Sequence, residues 1–148
     1  MIDEGIDRTR RTGSDQFLTH MLGLAADAHL RAGCVERGLS VVEEALALAD
    51  RTGERFYEGE LHRLSGELQL RRRPQQSEDA AAAFARAMHI TRRQGARLLT
   101  LRASVSLARL RHSQHRFDEV RSVLEEAVAE VAADAKLRDL REASQLWG

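Results

Sequence analysis

Residues 38–53 read GLSVVEEALALADRTG and residues 80–95 read AAAAFARAMHITRRQG. Laid over each other, both stretches carry a small residue, a bulky apolar one four positions later and a small one three further on, as Gly38/Val42/Ala45 and Ala80/Phe84/Ala87. Steps of four and three place each trio on one side of an α-helix. Small end members let a paired helix approach closely, and the bulky middle member fills the space between neighbouring units. Eight residues past each trio comes a glycine, Gly53 in RTGER and Gly95 in RQGAR. Glycine takes the left-handed backbone that closes a helix, so the packing surface and the turn recur together.

Such recurrence at a fixed interval marks a helical repeat. The trio returns after 42 residues and again, less well, after 40 as Val120/Leu124/Ala127, with Ala135 where the glycine belongs. Applied backwards, the rule finds Ile2, Gly5 and Gly13 in RTGSD, so residues 1–13 read as the tail of an earlier repeat. A first helix precedes each trio. The first runs from about Asp15 to Ala32 with Phe17, Met21, Leu22, Ala25, Ala26 and Leu30; the second from about Glu54 to Arg72 with Phe56, Tyr57, Leu61, Leu64, Leu68 and Leu70. The third, about Arg97 to Ser113, carries Leu98, Leu101, Val105, Leu107, Ala108 and Leu110. These spacings predict apolar stripes with Arg, Glu and Gln opposite. One hairpin cannot bury both of its faces, so the hairpins must stack.

The expected fold is therefore all-α: a right-handed superhelical stack of about three antiparallel hairpins, a tetratricopeptide-like α-solenoid. In one domain over 1–148 the repeats fall at 15–53, 54–95 and 97–135. Residues 137–148, containing DLREASQLW, are expected as a capping helix with Leu140, Ala143 and Leu146 turned inward. Ser77 before Glu78 and Asp79 reads as an N-cap, with Pro74 in the preceding turn.

Composition agrees with helix and removes several functions. Of 148 residues 43% are hydrophobic, 31% charged and only 4% aromatic, with one proline, a mix that starves strands. Lys+Arg 23 balances Asp+Glu 23, so no overall charge draws the chain to nucleic acid or an anionic membrane. The lone Cys34 excludes an internal disulfide and a multi-cysteine metal site, and fits a reducing compartment. With no long apolar run and no signal-peptide core at its start, the chain is expected to be soluble and cytoplasmic.

The segments EEALALADRTGERFYEGELHRLSGEL (Glu43–Leu68), AFARAMHITRRQGARLLTLRASVSLARL (Ala83–Leu110) and DLREA (Asp139–Ala143) carry a family resemblance. Together they resemble the C-terminal tetratricopeptide-type region of large bacterial signalling proteins, of the class III nucleotide cyclase type or of transcriptional activators joined to an ATP-binding module. The repeats depart from the minimal pattern in being longer than about 34 residues and in lacking its Trp, Tyr and final Pro positions. No cyclase residues and no phosphate-binding Gly-Lys-Ser/Thr loop occur, so the resemblance implies a regulatory, protein-binding or ligand-sensing arm rather than an enzyme.

Direct search for chemistry points the same way. His20, His29, His62, His89, His112 and His115 form no metal-ligand spacing, and no nucleophile, base and orienting group are announced together. No enzyme activity, metal or cofactor is expected. Arg71-Arg72-Arg73, the densest charge run, reads first as a complement to a helix C-terminus. If first helices line a concave face, counting from the apolar stripe offers His20, Asp27 and Arg31, then His62 and Gln69, then Arg102, Arg109 and His112. That set leans cationic and suits an acidic peptide or an anionic small ligand. The expected function is a protein-interaction or regulatory scaffold whose partner is another protein, a peptide or other domains of a larger chain. The alternatives are a small-molecule sensor, or a self-association module whose half-repeat at the N-terminal edge pairs in a homodimer.

Overall fold

The computed structural model describes Glu4 and residues 17–147. Six α-helices are given in full by the described residues: α1 (Leu18–Ala32), α2 (Val35–Thr52), α3 (Glu58–Arg72), α4 (Ser77–Arg93), α5 (Arg97–Ser113) and α6 (Phe117–Trp147), with a 3-10 turn at Pro74–Gln76. Among the described residues there is no strand. The expected tail at 1–13, and with it the N-terminal pairing edge, lies outside the described residues apart from Glu4.

Short connections force antiparallel neighbours, so α1/α2, α3/α4 and α5/α6 form hairpins, and each helix packs on the next. The odd helices also touch one another, α1 on α3 and α3 on α5. Three turns close on left-handed glycines: Gly33 at φ 76°, Gly53 at φ 73° and Gly95 at φ 69°. At the α5/α6 turn no glycine is available, and His115 takes that conformation at φ 59°.

The core is built around the trios. Val42 and Ala45 are sealed by Leu61, Leu64 and Leu68 from α3, with Ala25 and Ala26 closing from α1. Phe84, fully buried, meets Ala80 and Leu110, while Ala87 meets Ala103. Glycines inside the helices are there for close approach: a Cβ on Gly66 would lie 2.6 Å from the Phe84 ring, and one on Gly38 2.7 Å from Leu68. Side-chain hydroxyls add a polar weld between α4 and α5, where Thr100 donates to Thr91 at 2.8 Å and Thr91 to the Ala87 carbonyl at 2.9 Å.

Four sequence expectations are corrected. Residues 137–147 are not a separate inward-facing cap; α6 runs on through them, and Leu140 and Leu146 are exposed. The cause is local: from Phe117 to Trp147 there is no glycine or proline, and Ala135 favours continuation over the left-handed turn its counterparts make. Ser77 is not an N-cap, because α4 begins at Ser77 itself after Gln76; its hydroxyl instead accepts from Gln114 Nε2 at 3.0 Å. Phe17, Phe56 and Leu98 lie in the turns or first turns that enter the odd helices and are exposed, outside the reach of the neighbouring helix. The second helix starts at Glu58 rather than near Glu54, since the chain leaves Gly53 through an irregular turn at Glu54–Tyr57.

Candidate interaction groove

Lining up odd helices leaves a groove of about 450 Å³ along them. Every wall residue comes from a first helix: Asp27, Leu30 and Arg31 from α1; Arg63, Glu67 and Arg71 from α3; Leu101, Arg102, Val105, Ser106 and Arg109 from α5. Apolar patches from Leu30, Leu101 and Val105 thus alternate with charge.

The floor is an ion pair taken almost completely out of water. Arg63 donates from Nε and Nη2 to the two carboxylate oxygens of Glu60 at 2.9 and 2.7 Å. Both residues are buried, so their burial is tolerable only because the pair is bidentate and further satisfied. Arg102 reaches the same carboxylate at 3.2 Å, and Ser106 donates to Glu67 at 2.7 Å while Arg63 Nη1 lies 3.4 Å from the Ser106 hydroxyl. Burial pulls the Arg63 pKa down, but the hydrogen bond and charge of Glu60, with Glu67 behind it, hold it above its ordinary value. Arg63 therefore stays charged, and α3 is tied to α5 through fixed groups.

Above the floor, Arg31 pairs with Asp27 at 3.0 Å, and Arg71 crosses from α3 to donate to the Leu30 carbonyl at the end of α1 at 2.7 Å. Of the rest of that run, Arg72 crosses to Glu36 of α2 at 3.2 Å, and Arg73 stays local with Gln76 at 3.4 Å. Arg109 is uncommitted, with no ion pair among the described residues. Five arginines, set against Asp27, Glu67 and Glu60, leave the groove with two positive charges in excess.

Of the residues singled out from the sequence, Asp27, Arg31, Arg102 and Arg109 meet in this groove. His112 lies beyond its end, its ring 5.3 Å edge-on to Phe117. His20 stands outside the groove, 4.7 Å edge-on to Tyr57. His62 and Gln69 are on the other side of α3. His62 sits 3.9 Å from Glu58 and near Arg86, where burial first and then the Arg86 charge lower its pKa. Gln69 borders a separate depression with Leu39, Glu43 and Asp79, and donates to Ser65 at 2.8 Å. Counting from the Leu61/Leu64/Leu68 stripe fails on α3 because burial extends beyond it: Glu60, Arg63 and Gly66 are buried as well. The same fact hid Glu60, Arg63 and Glu67, whose spacing of three and four along one face was the available signal.

Among the described residues no group of three or more His, Cys, Asp and Glu is placed to hold a metal ion, and no helix is long and apolar enough to cross a membrane. No protein-family model matches the chain, and no curated protein matches it in sequence. What fold and groove define together is an all-helical array of hairpins with one polar, cation-rich channel along its first helices.

Proposed function

We propose that this chain is a non-enzymatic interaction module, a tetratricopeptide-like right-handed array whose concave first-helix groove binds an extended, acidic segment of a protein partner. The observation that carries this reading is the pairing of a pre-set floor, Glu60/Arg63/Arg102, with an uncommitted cation, Arg109, in a groove lined only by odd helices. Fixed arginines recognise carboxylates without paying again for their own ordering, and the apolar breaks at Leu30, Leu101 and Val105 take the alternate side chains of such a segment. The regulatory setting implied by the resemblance to bacterial signalling proteins fits a module of this kind, working in the cytoplasm on another protein or on another domain.

Arg31 and Arg109 are exposed and remote from the core, so Arg31→Glu/Arg109→Glu should leave the melting temperature within a few degrees while reversing the groove's sign. Fluorescence anisotropy with a library of Asp/Glu-rich peptides should show micromolar binding to the native chain, falling at least tenfold in the double variant and with rising salt. Equal binding of acidic and basic peptides, or none by the native chain, would remove the proposal.

A further inference from the structure

The cationic groove does not stop at α5. Val105 and Arg109 also border a second depression, an apolar slot of about 290 Å³ completed by Ala108 and His112 of α5 and by Val120 and Leu124 of α6. No carboxylate lines this slot, and Val105, Val120 and Leu124 are only half-buried, so their apolar surface meets solvent.

Charged and apolar recognition are thus joined end to end. Arg31, Arg71 and Arg102 lie to one side and the slot to the other, and Arg109, without an ion pair among the described residues, stands at the junction. The path crosses from α1 to α3, α5 and α6, each in contact with the next. Three helix-to-helix steps of about 8–10 Å make about 25–30 Å, which extended chain covers in about eight or nine residues. Side chains on one face of such a segment are two residues and about 7 Å apart, so a carboxylate held at Arg109 falls two residues from the side chain over the slot.

We propose, on the basis of the acidic-segment reading above, that the partner segment is bipartite. Its acidic residues lie over α1, α3 and α5, and a large apolar side chain, two residues beyond the last carboxylate, is seated in the α5/α6 slot. The slot thereby sets direction as well as affinity: a reversed segment brings its apolar residue to Asp27 and Arg31 and its carboxylates to Val120 and Leu124. The two halves differ in their response to salt, because ions screen the arginine–carboxylate attraction and leave apolar burial in place.

Fluorescence anisotropy with three synthetic peptides of about nine residues tests this on the full chain. One carries an Asp/Glu run with Phe two residues after the last acid, one has Ser for that Phe, and one has the Phe moved to the opposite end. The first should bind roughly tenfold more tightly than either of the others. Its advantage over the Ser peptide should persist at about 0.5 M salt, where both bind more weakly. Leu124→Gln, at a half-exposed position, should keep the helical circular dichroism and bind the Phe and Ser peptides alike. Equal binding of the Phe and Ser peptides by the native chain, with Arg31→Glu/Arg109→Glu still weakening both, would overturn the apolar anchor and leave the acidic groove standing. Binding of none of the three would overturn both, and a Phe advantage that survives in Leu124→Gln would overturn the slot as its seat.

Discussion

The same trio occurs three times and meets two fates. Ala80, Phe84 and Ala87 have no access to water, and Gly38, Val42 and Ala45 are equally enclosed; in the third copy only Ala127 is buried, while Val120 and Leu124 are half-exposed. Since the helices themselves are alike, the difference lies in what rests on them: α3 and α5 cover the inner trios, and no other hairpin among the described residues covers the last. A repeat's core is thus a property of the pair of hairpins that meet there, and the residue pattern alone does not confer burial.

The largest expected effect breaks that comparison directly. Phe84→Ala should cost about 3–5 kcal/mol, because a fully buried ring is replaced by a cavity, whereas Leu124→Ala at the matching position should cost about 1 kcal/mol. Urea unfolding of the two variants measures the contrast, and equal losses would show that the terminal trio is covered after all. Next comes the groove floor. Glu60→Ala strands the buried Arg63 guanidinium, with Glu67 at 3.7 Å and the Ser106 hydroxyl at 3.4 Å left to compensate, and should cost about 3 kcal/mol by the same assay. A smaller loss, about 1 kcal/mol in thermal unfolding, is expected for Gly53→Ala, which forces a Cβ into left-handed backbone. No such penalty applies at Ala135, which is already helical.

The smallest effect concerns pH. His62 is held below its ordinary pKa, chiefly by burial and secondarily by Arg86, with Glu58 and Asp50 opposing. The unfolded chain therefore takes up this proton before the folded one, so stability is present above the ordinary histidine value and declines as pH falls through it towards the folded value. Melting temperatures taken across weakly acidic pH should decline less steeply for His62→Gln than for the native chain. Parallel curves would mean that His62 is as solvated in the fold as out of it.

Much of the architecture was legible because two features write it into sequence at matched intervals: small residues where helices touch, and glycines where they turn. Gly53 and Gly95 do adopt the conformation their place demands. The irregular elements escaped for physical reasons. His115 turns the chain without a glycine, which a search for glycines passes over. Helix α3 is enclosed on several sides, so its charged residues at Glu60 and Arg63 are buried and its outward face cannot be counted from leucines. Half of the groove's charged residues were found nonetheless, Asp27, Arg31, Arg102 and Arg109, because α1 and α5 each keep one solvated face.

Helix α6 offers the sharpest test of how this stack is held together. Arg92 pairs with Glu126 at 3.3 Å and with Glu130 at 2.9 Å, and Arg97 reaches Asp134 at 3.5 Å. Among the described residues these are the last ties from α6 to another helix; beyond them the helix stands alone, and unsupported helix frays. Amide hydrogen exchange along α6 should show slow exchange as far as Asp134 and a fall to rapid exchange within the next turn. Even protection from Phe117 to the end of α6 would contradict it, and would mean that neighbouring hairpins are not what holds each helix in place.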